Sequence, residues 1–273
     1  MLILKLIYWN LKSHFELAGN DPRMHHLFFV NSYRNVLLLI AAYIVFVKKI
    51  GPALMAKRRP FEIKRLIQLY NLGQILLNTY VFIGFMRHFL PHPAYDWFCM
   101  KIDSDDISPE TMNLLHITHT CYLTKIFDVL DTIFFVMRKK NRQISFLHVY
   151  HHATMIWASF IYHVKFFGTA YTAIGHVNSF VHMLMYTYYF LSSLDTNLNL
   201  DAWKPRITEI QIIQFFYFSI KFGLAIINNT CGMSTGWLAV LFIQNLFMTL
   251  MFCNFYYKTY IAKSKKVKKM NDQ

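Results

Sequence analysis

Three histidines within Gln143 to His152, QISFLHVYHH, carry the most chemistry in this chain. His151 and His152 follow His148 by three and four residues, so on a helix all three share one face and can converge on one ligand. The neighbours are apolar and aromatic, and ATMIWASFIY follows without a charge. The imidazoles therefore sit where water is scarce and a polar group without partners is costly. Two chemistries fit. Neutral imidazole exchanges protons near pH 7 and can form an acyl-imidazole. It also ligates metal, as in histidine-box di-iron desaturases and hydroxylases. The bland alternative is three histidines merely satisfied by neighbouring helices.

What must position them is membrane-spanning. Of 273 residues 55% are hydrophobic and 15% charged, against about 25% charged in soluble domains. With runs of about twenty apolar residues, the composition predicts an all-α polytopic membrane protein. Seven spans are expected near 28–47, 66–90, 115–137, 143–163, 168–191, 208–229 and 235–257. No long polar insert separates them, so 1–273 reads as a single domain: an interfacial N-terminus over 1–27, a bundle over 28–257 and a basic tail over 258–273. The first residues, MLILKLIYWNLKSHF, have no basic residue before the apolar run and no A-x-A site, and read as interfacial rather than as a signal peptide.

The formal charge of +14 lies in loops on one side, such as Lys57 to Arg59 and Arg138 to Arg142, and in the tail. That is a pattern of orientation and lipid contact, not of nucleic-acid binding. It puts the tail in the cytosol, the N-terminus in the lumen, and makes Asn228 a lumenal glycosylation sequon. Cys99, Cys121, Cys231 and Cys253 are scattered singly, which indicates neither a disulfide framework nor a zinc site.

Direction converts sequence position into depth. His148 and His151 come about 9 and about 13 Å in from Arg142, and His182 about 13 Å in from Leu191. Asp131 and Asp128 fall at about 10 and about 15 Å, and Lys125 at about 20 Å. Gln211 and Gln214 open the sixth span. Four helices are thus expected to bring polar residues into the cytosolic third. An ion pair of Lys125 with Asp128 or Asp131, interhelical bonding by Asn178, His182, Tyr186 and Tyr189, and a helix cap at Thr208 are the structural alternatives. A di-iron centre needs about eight imidazoles at one level; His88, His92, His116, His119 and His163 lie toward the lumenal end, His176 lies about two turns deeper than His182, and His148, His151, His152 and His182 remain at the site. The count argues against a di-iron centre and leaves a single mononuclear metal open. No GxSxG elbow is present, and Cys253 is the one thiol near the cytosolic end. Lys125, Arg138 and the basic loops suit a phosphorylated carrier whose hydrocarbon chain enters the apolar interior. Lys221, about 20 Å deep, is a candidate ruler for chain length.

Four ordered motifs resemble the very-long-chain fatty acid elongases, membrane 3-ketoacyl-CoA synthases, over essentially the whole chain. KIFDVLDT (125 to 132) is similar to KxxExxDT, with Asp128 in place of the usual Glu; QISFLHVYHH to QxxFLHxYHH; NSFVHMLMYTYY (178 to 189) to NxxxHxxMYxYY; and TEIQIIQ (208 to 214) to TxxQxxQ. The resemblance implies seven spans, six enclosing a narrow tunnel closed at the lumenal end, in the endoplasmic reticulum membrane. It implies condensation of a long-chain acyl-CoA with malonyl-CoA, releasing CO2 and CoA, without cofactor or metal. His151 is then the expected acyl acceptor and His182 the base or malonyl-orienting group. His148 and His152 act as supports, with Asp131 holding a tautomer. Lys125, Asp128, Arg138, Asn178, Tyr186, Tyr189, Gln211 and Gln214 are the expected substrate contacts. Partners implied are the ketoacyl reductase, dehydratase and enoyl reductase of the cycle and a second copy of the chain. A histidine-box di-iron lipid desaturase or hydroxylase and a non-enzymatic lipid carrier are the remaining alternatives.

Overall fold

The computed structural model describes residues 21–24, 26–30, 32–97, 99–194, 198–229 and 234–262. The N-terminal segment up to residue 20, the tail from residue 263, Thr230 of the sequon and Cys231 lie outside the described residues. The described chain is all-helical, 77% helix without strands. Its helices are α1 (Tyr33–Met55), α2 (Lys64–His88), α3 (Pro109–Phe127), α4 (Leu130–Met137), α5 (Phe146–Lys165), α6 (Ala173–Ser193), α7 (Trp203–Ile227) and α8 (Thr235–Ile261). With α3 and α4 taken as one helix broken at Asp128 and Val129, the described helices number seven.

Four of them, α1, α2, α7 and α8, are long and apolar enough to cross a membrane. Their outward residues are apolar: Leu69, Leu72, Leu76 and Ile83 on α2, and Ile213, Phe216, Ile220 and Leu224 on α7. Polar residues are turned inward instead: Asn71, Gln74 and Asn78, and Gln214, Ser219 and Lys221. A water-soluble helix has the opposite arrangement, so this is a multi-pass membrane protein. The other three helices carry three of the four motifs, whose polarity dilutes the apolar signal, while the fourth, at 208 to 214, opens α7.

Boundaries differ from expectation where charge or proline misled. α1 continues past exposed Lys48 and Lys49 to Met55, because lysine stems lie along apolar surface while their ammonium groups reach water. It widens to a π-turn over Phe46–Ile50 just ahead of Pro52, which has no N–H to donate. Gly51 is required there, since a Cβ would lie 2.7 Å from Val136 Cγ1 of α4. α7 begins at Trp203 and holds Pro205 in its first turn, where a missing N–H costs nothing.

The fold consists of two compact units. The first comprises Met1–Ile63, Gly84–Tyr95 and Lys101–Thr172. In it α1 packs on α5 through Tyr33 against Phe160 (5.1 Å between centroids), and α3 packs on α5 through Tyr122 and Phe160. The start of α3 is tied by Ser108, whose Oγ accepts from the Thr111 amide, and by Asp106, which accepts from the Thr111 hydroxyl at 2.6 Å and the Ser108 amide at 2.8 Å. The Thr111 hydroxyl bond, with those from Ser108, holds the Asp106 carboxyl down to about 2. Arg23 bonds the carbonyls of Asp103 and Asp106 in the same knot.

The second unit comprises Lys64–Ile83, Asp96–Met100 and Ala173–Gln273. The Tyr256 hydroxyl donates to Glu209 at 2.6 Å, joining α8 to α7. α2 runs antiparallel to α6: Gln68 donates to the Ser193 carbonyl at 3.0 Å, and Phe82 packs against His176. Cys99, in this unit, is disulfide-bonded, contrary to the reading of scattered thiols; spacing in sequence carries no information about which loops meet in space. Cys121 and Cys253 are free.

Candidate active site

Ser145 fixes where α5 begins. Its Oγ accepts from the His148 amide at 3.2 Å, an N-cap that satisfies one of the otherwise orphaned N–H groups of the first turn. Starting the helix at Phe146, after a 3₁₀ turn over Asn141–Gln143, puts His148 about 3 Å and His151 about 8 Å along its axis. Both are nearer the helix start than a helix counted from Arg142 allows. The three imidazoles do share a face: His148 and His152 have ring centroids 4.3 Å apart, and His151 and His152 5.6 Å. His152 is buried, while His148 and His151 are half-buried.

The break between α3 and α4 delivers two further groups. Thr124 bonds back to the Cys121 carbonyl at 2.7 Å, a contact that bends helices, and the chain tightens to three-residue bonds across Asp128 and Val129. There Lys125 Nζ meets Asp128 Oδ2 at 3.1 Å, both side chains almost wholly buried. This pair lies within electrostatic range of His151. One turn on, the Thr132 hydroxyl stands 2.9 Å from His148 Nε2 and 2.9 Å from the Tyr43 hydroxyl of α1. Asp131 is half-buried in the first turn of α4. Arg138, exposed, ends α4 beside a reverse turn in which Lys139 takes a left-handed conformation. The Lys139 ammonium donates to the Ala56 carbonyl, and the Phe61 amide to the Met137 carbonyl, so the basic loops around 57–59 and 138–142 are tied together.

The second unit holds the remaining expected residues. Asn178, His182 and Tyr186, one turn apart along α6, are all buried, and the rings of His182 and Tyr186 meet edge-on at 5.9 Å. Tyr189 is exposed, with its ring 6.0 Å from that of Tyr186. Gln214 is buried and Gln211 reaches Met185 Sδ at 3.6 Å. Lys221 Nζ sits 4.3 Å above the Trp97 ring, a cation–π contact. Among the described residues no three His, Cys, Asp or Glu side chains are grouped to hold a metal ion.

The sequence model of the GNS1/SUR4 family (ELO) matches residues 28–268. The chain belongs to the ELO family. Its relatives include very long chain fatty acid elongase 5 of Mus musculus, 33% identical over 268 residues, covering 93% of this chain and 84% of the relative. Very long chain fatty acid elongase 7 of Rattus norvegicus is 31% identical, covering 92% and 90%. Very long chain fatty acid elongase F of Drosophila melanogaster is 34% identical, covering 85% and 91%.

In this ELO protein, sequence reasoning missed groups that the fold adds to both clusters. Thr132 closes the DT pair of the first motif, and Tyr43 comes from a span with no motif at all. In the second unit Asn71, Gln74 and Asn78 line the buried face of α2, with Tyr70 at hydrogen-bond distance from Tyr186. The signal was present as amides three and four residues apart within an otherwise apolar span.

Proposed function

We propose that this chain is a very-long-chain 3-oxoacyl-CoA synthase that condenses a long-chain acyl-CoA with malonyl-CoA on a histidine. Fatty acid elongation is the function of its family, and the histidine cluster beside the buried Lys125–Asp128 pair is the observation that carries the finer reading. A neutral His151 nitrogen attacks the thioester carbonyl; the C–S bond breaks, and CoA leaves with the imidazole proton, giving an acyl-imidazole. The malonyl C–CO2 bond then breaks, CO2 departs, and the electron pair forms the new carbon–carbon bond. His151 leaves as imidazolate and recovers a proton from water. The balance is acyl-CoA, malonyl-CoA and one proton in; 3-oxoacyl-CoA, CO2 and CoA out.

His148 and His152 support His151, Asp131 holds a tautomer, and His182 orients the malonyl unit so that the C–CO2 bond breaks facing the acyl carbon. Lys125, with Asp128, and Asn178, Tyr186, Tyr189, Gln211 and Gln214 contact substrate. Arg138 and the tied basic loops suit the phosphates of CoA. The acyl chain occupies an apolar tunnel, and the pathway's reductases and dehydratase act on the product. The Cys99 disulfide supports an endoplasmic reticulum membrane with that loop on the oxidising, lumenal side and the basic loops and tail in the cytosol.

The test is purified protein with labelled malonyl-CoA and a panel of acyl-CoAs. His151→Ala accumulates in the membrane but forms no 3-oxoacyl-CoA, and His182→Ala is similarly inactive. A His151→Ala protein that still extends acyl-CoA refutes the assignment. An oxygenase would instead consume O2 without malonyl-CoA.

A further inference from the structure

About 16 Å along α5 from His152, toward the other end of the helix, a second pair of imidazoles is buried in the first unit. His163 comes from the last turn of α5 and His119 from the middle of α3, with ring centroids 5.2 Å apart. Neither nitrogen of His163 has a hydrogen-bond partner, nor has Nδ1 of His119, and all three atoms are buried. The two rings are therefore not bonded to each other. Tyr122 packs on both, parallel to His163 at 6.2 Å and 6.1 Å from His119, but its one O–H donates to the Phe29 carbonyl at 3.2 Å. Three buried nitrogens without partners on adjacent rings are costly unless a ligand takes them up.

The ring spacing selects that ligand. Imidazoles sharing one water through hydrogen bonds of about 2.9 Å have ring centres about 6.5 Å apart at a tetrahedral angle. On one metal ion, with bonds of about 2.0 Å, the centres are about 5.1 Å apart in tetrahedral coordination and about 4.4 Å apart at a square-planar corner. The observed 5.2 Å matches the tetrahedral ion. Imidazole donors suit zinc, whereas calcium and magnesium take oxygen ligands. His163 also lies at the end of α5 where the helix dipole favours a cation.

We infer that His119, through Nδ1, and His163 form a zinc site that ties α3 to α5, separate from the histidines of the condensation. Among the described residues no third His, Cys, Asp or Glu is grouped with them, so two coordination positions are left to small ligands and the ion is exchangeable. His116, exposed one turn earlier on α3, is the first imidazole an entering ion meets.

The test uses full-length protein in detergent, stripped with a chelator and titrated with Zn2+ or Co2+. Wild type binds one Zn2+ per chain, its unfolding midpoint rises on loading, and Co2+ gives the intense visible bands of tetrahedral coordination. His119→Gln and His163→Gln weaken binding by more than about 100-fold and lose the rise in midpoint. The histidine box is a competing ligand set, so His148→Gln/His151→Gln is titrated alongside and keeps the tetrahedral cobalt spectrum. Wild type that binds neither ion, a weak octahedral cobalt spectrum, or binding lost in His148→Gln/His151→Gln but kept in His163→Gln overturns the inference. The wild-type titration decides even where a variant fails to fold.

Discussion

Thr132→Val isolates what orients the histidine cluster. The Thr132 side chain is fully buried, with its hydroxyl 2.9 Å from both the Tyr43 hydroxyl and His148 Nε2. Valine matches the shape of threonine, so no cavity opens and only the hydroxyl is lost. Two neutral hydrogen bonds at about 1 kcal/mol each disappear, and a buried Tyr43 hydroxyl is left short of a partner, raising the total to about 2–4 kcal/mol. The effect on catalysis follows from the 4.3 Å spacing of the His148 and His152 rings. A ring free to rotate or change tautomer there no longer supports its neighbours, and losing an imidazole's orienting partner costs about 10- to 100-fold. The assay measures turnover of labelled malonyl-CoA alongside thermal unfolding followed by intrinsic fluorescence. Thr132→Val shows a lowered midpoint and kcat reduced by that factor, whereas Thr132→Ser stays within about threefold of wild type because the hydroxyl returns. Wild-type kcat in Thr132→Val refutes the claim that this hydroxyl positions His148.

Asp128→Asn leaves the buried Lys125 ammonium without its counter-charge at a cost of about 3–5 kcal/mol, seen as sharply reduced accumulation and a lower unfolding midpoint. Asp128→Glu retains the charge and accumulates normally. Ser145→Ala removes the cap of α5, costs about 1 kcal/mol, and raises hydrogen exchange at the Leu147 and His148 amides while lowering kcat. The Asp106 carboxyl is held below its ordinary 3.8, at about 2, so its contribution is fully present above about pH 4 and is lost as pH falls toward 2. Hydrogen exchange at the start of α3 in wild type rises across that window, and Asp106→Asn removes the dependence.

Helix content and much of the first-unit cluster were legible because their signals are local. Histidines three and four residues apart must share a helical face, but the Ser145 cap was not read, so the start of α5 was placed too early. The Lys125–Asp128 pair was legible as i, i+3 spacing. The Thr132 bridge was not, because it needs the α3–α4 break to turn the hydroxyl toward α5 and needs α1 to bring Tyr43 within reach. The Cys99 disulfide and the Trp97–Lys221 stack escaped for a related reason: a connecting loop's contacts are set by the helices it joins. Span ends were misjudged at Lys48, where a lysine stem lies on apolar surface, and at Pro205, where proline in a first turn starts a helix rather than preceding one.

The separation of four strongly apolar helices from three polar ones follows from putting acyl chemistry in lipid. Hydropathy holds α1, α2, α7 and α8 in the membrane, and the outward apolar rows on α2 and α7 make that attachment insensitive to what their inner faces carry. The broken α3–α4 pair, α5 and α6 have less of that margin because they carry imidazoles, carboxylates and an ammonium. Specific contacts must hold those groups: the Ser145 cap, the Lys125–Asp128 pair, and Thr132 between Tyr43 and His148 in one unit, and the Tyr70–Tyr186 bond in the other. Each unit therefore contains at least one apolar span that donates a side chain to a polar one, α1 through Tyr43 and α2 through Tyr70. Because both side chains are phenols with a single hydroxyl, removing it while keeping the ring separates orientation from packing. Tyr43→Phe and Tyr70→Phe should therefore damage turnover more than folding, the reverse of what an anchoring residue does.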